Sequence, residues 1–75
     1  MKYYTIGKNK NTIYAGDVND GNNDIVKYFA VSKNGKMREF PNNDSHCDYE
    51  CFNALKTGQL HTFNSFEEAE RYVRS

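Results

Sequence analysis

Apolar and polar positions alternate with a period of two in three runs within the first forty residues of this chain, at 3–7, 12–15 and 24–40, and the pattern then switches to a helical period. The clearest alternation lies at 24–40, DIVKYFAVSKNGKMREF, where two runs flank Asn34-Gly35. Asn and Gly best tolerate the positive φ that both central residues of a type I′ turn require, so the pattern predicts a β-hairpin. A two-residue loop sets Lys33 opposite Lys36, Val31 opposite Arg38 and Phe29 opposite Phe40. Ser32 with Met37 and Ala30 with Glu39 then fall on the other face. Residues 3–7 and 12–15 predict a second hairpin, closed by Lys8-Asn9-Lys10-Asn11. A four-residue loop there faces Ile6 with Ile13 and Tyr4 with Ala15, leaving Tyr3, Thr5 and Tyr14 on the opposite side. The stretch 16–24, GDVNDGNND, reads as a loop, because Asn, Asp and Gly accept left-handed backbone and bond their own main chain.

Pro41-Asn42-Asn43 stops the fourth strand, since proline cannot donate to a ladder. Asp44 or Ser45 then caps a helix that runs to about Lys56, with Gly58 just past its end. Cys47, Cys51, Ala54 and Leu55 mark its buried stripe at helical spacing. Residues 59–63 form a short strand or extended link. Asn64 or Ser65 opens a last helix, in which Ser65 and Glu68 have capping-box spacing. Phe66, Ala69 and Val73, joined by Tyr72, give that helix its apolar face. The predicted fold class is α+β: a single domain over 1–75, with a small antiparallel sheet of about four strands in two hairpins. Two C-terminal helices pack on one face of it.

The closing segment HTFNSFEEAERYV resembles the strand-then-helix ending of many small α+β modules. One of these is the hybrid-binding domain at the N-terminus of some ribonucleases H. The resemblance spans about a dozen residues and rests on Phe63, Ser65, Glu67, Glu68 and Ala69. Those positions serve capping and packing, so it implies a local fold and no activity. In its brevity and its abundance of Asn and Tyr, the chain is also similar to phage-encoded accessory proteins, many of which bind and inhibit a host protein.

Size narrows the function classes. Seventy-five residues bury only about 60% of their unfolded surface, which leaves little room for an enclosed catalytic cavity. The formal net charge is zero, but it is unevenly spread. Seven bases face four acids through Phe40, and three bases face six acids after it. Such a dipole can orient docking. Two cysteines are too few for a disulfide scaffold, so a reducing, cytoplasmic setting is expected. No apolar run is long enough for a membrane span.

Candidate chemistry is sparse. His46, Cys47 and Cys51, with His61 beyond, are the nearest approach to a zinc site. The spacing is not a zinc-finger one, and the helix needs both cysteines for packing, where free cysteine acts as a small hydrophobe. Asp17, Asn19, Asp20 and Asp24 offer oxygen ligands without EF-hand spacing. No nucleophile motif, acid–base pair or phosphate cradle stands out. The chain is therefore expected to be no enzyme and to need no cofactor or metal.

The aromatic face is the sharper feature. With the registers above, Tyr3, Tyr14, Tyr28 and Met37 share the sheet face that two helices would leave bare. Exposed tyrosine and methionine are what protein interfaces enrich. The expected function is protein binding, with those four as anchors and Lys33, Lys36 and Arg38 as a basic rim. An inhibitor or accessory factor of a phage or mobile element is the favoured version. A two-fold homodimer would bury the same surface. The alternative is single-stranded nucleic acid, stacked on the same tyrosines and held by the same bases. Neutral net charge and acidic helices disfavour it.

Overall fold

A computed structural model describes residues 1–7, 11–19, 22–32, 34–41 and 45–75, and the side chains of all of these except 19, 22–23 and 45–48. Five strands and two helices follow one another: β1 (Lys2–Ile6), β2 (Thr12–Asn19), β3 (Asn22–Val31), β4 (Met37–Pro41), α1 (Ser45–Lys56), β5 (Leu60–Phe63) and α2 (Phe66–Arg74). The strands form one antiparallel sheet in the order β4-β3-β2-β1-β5. The α+β class and the two sheet-packing helices are as predicted. Within the segment 59–63, Leu60–Phe63 form a true fifth strand on the outer edge of β1.

Both predicted registers are displaced by one residue. In the first hairpin Tyr4 pairs with Tyr14 and Tyr3 with Ala15, where Tyr4 with Ala15 is the sequence expectation. In the β3–β4 hairpin Phe29 pairs with Glu39, Tyr28 with Phe40 and Val31 with Met37. The loop there spans three positions, 33–35, instead of two. The Gly35 N–H donates to the Ser32 carbonyl at 2.9 Å, and the Ser32 N–H donates to the Lys36 carbonyl at 2.8 Å. Gly35 has φ +80°, while no described non-glycine residue, Asn34 included, has a positive φ. This is the three-residue connection in which one glycine takes the left-handed position, and it replaces the expected type I′ turn. The expected pairing of Lys33 with Lys36 falls on a residue outside the described ones, as do Lys8, Asn9, Lys10, Asp20, Asn42, Asn43 and Asp44.

Within the expected loop over 16–24, residues 16–19 and 22–24 are instead strand, and Asp20 and Gly21 lie outside the described residues. Asp17 pairs with Asp24, Val18 with Asn23 and Asn19 with Asn22. A bulge divides this ladder: Ala15 pairs with Lys27 but Gly16 with Ile25, so Val26 is the extra residue on β3. A Cβ on Gly16 would lie 2.0 Å from the Asp24 carbonyl oxygen, so the close approach of the two strands demands glycine.

Register decides faces, because a slip of one residue turns every side chain over. Tyr4, Tyr14 and Tyr28 lie on one side, where the bulge also brings Ile25, and there they pack with Cys51 of α1. Tyr3, Ile13, Phe29 and Phe63 lie on the other side, against Phe66, Ala69 and Val73 of α2. The helices therefore cover opposite faces, and the expectation that both share one face does not hold. Each helix is closed by standard chemistry. After α1, Gly58 takes φ +74° and the Gln59 N–H donates to the Ala54 carbonyl at 2.8 Å, the Schellman arrangement. At the start of α2, the Ser65 hydroxyl accepts from the Glu68 N–H at 3.2 Å.

Candidate binding site

The register correction rearranges the predicted site. Cross-strand pairing aligns Tyr4, Tyr14, Tyr28 and Phe40 in one aromatic row on the α1 face. Helix α1 buries the first two. Tyr14 is 7% exposed, and its hydroxyl donates to the Glu50 carboxylate at 3.0 Å. Tyr4 is also buried, and its hydroxyl accepts from the Val18 N–H at 3.2 Å. Tyr28 and Phe40 are half-buried towards the β4 edge, with ring centroids 5.2 Å apart and planes 17° from parallel. The Arg38 guanidinium lies over Phe40, 5.4 Å from its centroid.

Tyr3 and Met37 belong to the opposite face. Tyr3 meets Phe66 edge-on at 5.8 Å, and Met37 packs against the α2 cluster. The four predicted anchors are thus split two and two, each pair beneath or beside a helix, and they make no common bare surface. Of the predicted basic rim, Lys36 and Arg38 are exposed, and Lys33 lies outside the described residues. Lys27 is engaged by Glu39 at 3.0 Å.

What the α1 face does expose is on and beside the helix. Tyr49 is 63% exposed and Leu55 36%. Phe52 is partly exposed and carries the Lys56 ammonium 5.0 Å from its ring centre. Tyr49, Phe52 and Lys56 follow at i, i+3 and i+7, and so share the helix side turned away from buried Cys51 and Ala54. That spacing was readable in the sequence as a second stripe, set opposite the packing one.

Alongside α1 runs an open cleft of about 730 Å³. Its floor includes Ile6, Tyr14 and Ala54, and its walls include Thr12 and Asn11 from the hairpin end of β2. From the helix and its C-terminal turn come Glu50, Asn53, Thr57 and Gln59. Three hydroxyl protons on this lining are already committed. Thr12 donates to the Asn11 side-chain oxygen at 3.1 Å, Tyr14 to Glu50, and Thr57 to the Asn53 carbonyl at 3.0 Å. Among the nine described lining residues Glu50 is the one with a charged side chain.

The chain matches no family model, no curated protein and no solved structure. Fold and site therefore stand on their own geometry. Among the described residues no group of three or more His, Cys, Asp or Glu is placed to hold a metal ion. Cys51 is buried in the α1 packing, His61 lies 5.4 Å from the Tyr72 ring, and the side chains of His46 and Cys47 lie outside those described. No helix among the described residues is long and apolar enough to cross a membrane.

Proposed function

We propose that this chain is a non-catalytic protein-binding module that docks through the outer side of α1 and the adjoining cleft. The observation that carries this reading is the exposed Tyr49, on a helix whose inner side is already satisfied by the sheet. A tyrosine gives large contact area at small entropic cost, and a few such residues dominate typical interfaces. Phe52 and Leu55 widen the apolar area, and Lys56 gives it a charged margin. This moves the contact surface from the sheet tyrosines to the helix while keeping the expected mode of action. An inhibitor or accessory factor from a phage or mobile element, acting on a host protein in the cytoplasm, is the version that the composition favours.

Arg38 beside the Tyr28–Phe40 pair favours a second reading, single-stranded nucleic acid held at the β4 edge. It has less to rest on, because Tyr28 and Arg38 already occupy the ring of Phe40 that a base would need. The test is capture from source-cell lysate by tagged wild-type protein and by Tyr49→Ala, with and without nuclease, read by mass spectrometry. Protein binding through α1 predicts a partner that survives nuclease and whose affinity drops about tenfold or more in Tyr49→Ala. Retention lost with nuclease, and insensitive to Tyr49, would replace this reading with the nucleic-acid one.

A further inference from the structure

We infer that the outer edge of β5 is a self-association site, at which a second copy of this chain adds its own β5 antiparallel across a two-fold axis. This goes beyond docking through α1 and does not depend on it. The inference starts from the main-chain groups that each edge strand has left over. The Gly7 N–H donates to the Gln59 carbonyl at 2.7 Å. Antiparallel ladders alternate hydrogen-bonded and non-hydrogen-bonded pairs, so Thr5 with His61 and Tyr3 with Phe63 carry the bonds of this ladder. Leu60 and Thr62 therefore turn their N–H and C=O groups outward, and β5 ends the sheet. This window is closed at both ends. The Gly58 N–H donates to the Leu55 carbonyl at 3.4 Å, and the Asn64 N–H to the Glu68 carboxylate at 3.4 Å. The opposite edge is protected differently. On β4 the Ser32–Lys36 bond fixes the alternation, so Met37, Glu39 and Pro41 face outward. Pro41 has no N–H to offer, and Arg38 and Glu39 line that edge with charge, both known defences against strand addition. Leu60–Phe63, LHTF, holds no proline, lysine, arginine or carboxylate.

The window at 60–62 complements itself. Antiparallel pairing centred on His61 sets Leu60 of each copy opposite Thr62 of the other. Each such pair exchanges both of its bonds, so every N–H and C=O that the window turns outward is satisfied. The two copies of His61 then face each other at the axis as a non-hydrogen-bonded pair. A foreign strand could make the same main-chain bonds, and charge is what favours a second copy. A two-fold axis perpendicular to the sheet keeps both α2 helices on one face, running in opposite directions. Helix α2 carries Glu67 and Glu68 in its first turn and Arg71 and Arg74 in its last. Side by side and reversed, the acidic start of each helix faces the basic end of the other. Glu68 and Arg71 border a groove that opens beside Phe63 of β5, on the side from which the second copy approaches. Helix α1 lies on the other face of the sheet, so the pair would present two copies of Tyr49 together.

The test is sedimentation velocity of the full chain at rising concentration. A short strand pair with a helix border is a small interface of the weak class, so the apparent mass should climb from 8.7 kDa at about 10 μM towards twice that at about 1 mM. Thr62→Pro deletes one outward N–H and should weaken association about tenfold or more. His61→Lys sets two ammonium groups opposite each other at the axis and should act in the same direction. It leaves the backbone untouched, which keeps the test decisive if Thr62→Pro does not fold. Glu39→Pro, the same lesion on β4, should leave association unchanged. His61→Cys should give a disulfide-linked dimer on mild oxidation, because facing Cα atoms in a non-hydrogen-bonded pair lie about 4.5 Å apart. Wild type, with Cys47 and Cys51, is the control for that crosslink. A monomer at every concentration, association that survives His61→Lys, or no crosslinking above wild type would overturn the inference. Association lost in Tyr49→Ala but kept in His61→Lys would place the contact on α1 and overturn it too. Neither result bears on capture of another protein through Tyr49, which is read separately.

Discussion

The two faces of the sheet are covered by helices of similar length, yet they are built differently. On the α2 side, Ile13, Ala69 and Val73 are buried beneath a ring of aromatics. Phe29 and Phe66 have centroids 4.7 Å apart, and Phe63 and Tyr72 5.3 Å. The Arg74 guanidinium reaches across to the Gly35 carbonyl and ties the helix end to the hairpin tip. On the α1 side the core uses Cys51 and two tyrosines whose hydroxyls must be satisfied, and a cleft opens beside it. One helix closes its face mainly with apolar and aromatic side chains, around a fully buried Thr5, whereas the other leaves polar atoms and an exposed tyrosine at the surface. Burying apolar area is how a small domain gains stability, and leaving an aromatic side chain exposed is how it keeps something to bind with.

Substitutions on each face can break or sharpen that contrast. The largest effect is expected from Ile13→Ala, which empties the fully buried centre of the α2 face and should cost about 3–4 kcal/mol by urea denaturation. A domain of this size has only about 4–11 kcal/mol in hand, so the variant should melt far below the wild type. A loss under about 1 kcal/mol would mean that the α2 face is not the stability core. Next comes Ser65→Ala, which removes the cap of α2 and should lower stability by about 1 kcal/mol. The smallest effect is expected from Tyr14→Phe on the α1 face. It deletes one hydrogen bond to the exposed Glu50 carboxylate, which solvent weakens, and should lower the unfolding free energy by about 0.5–1 kcal/mol. A larger loss there would place structural weight on the face read here as functional.

Much of the architecture was legible because capping and periodicity are local. Gly58 and Ser65 announce the end of α1 and the start of α2 in the residues themselves, and both act as expected. Strand register was not legible, since it depends on loop geometry that a dipeptide does not determine. Asn34-Gly35 has the strongest two-residue hairpin composition, yet it sits in a three-residue connection. Asp20-Gly21, equally suggestive, lies within a run of Asn and Asp that reads as loop. The strands nevertheless pair up to Asn19 and Asn22 on either side of it. A shift of one residue in each hairpin was enough to divide Tyr3 and Met37 from Tyr14 and Tyr28. The bulge at Gly16 then carried Ile25 to the α1 face, against simple alternation. The cleft could not have been found from spacing, because it joins the β2 hairpin end to a helix more than thirty residues later.

Strand order sets a timetable for the newborn chain. The first four strands form a meander in which each pairs with its sequence neighbour, so they can zip together as they leave the ribosome. The outer edge of β1 must wait for β5, where Tyr3 finally meets Phe63. Until then the nascent sheet shows an unpaired edge and the bare apolar face that α2 will cover. A chain released before Leu60 would carry both liabilities at once, and its fate in the cell would be aggregation or capture by a chaperone.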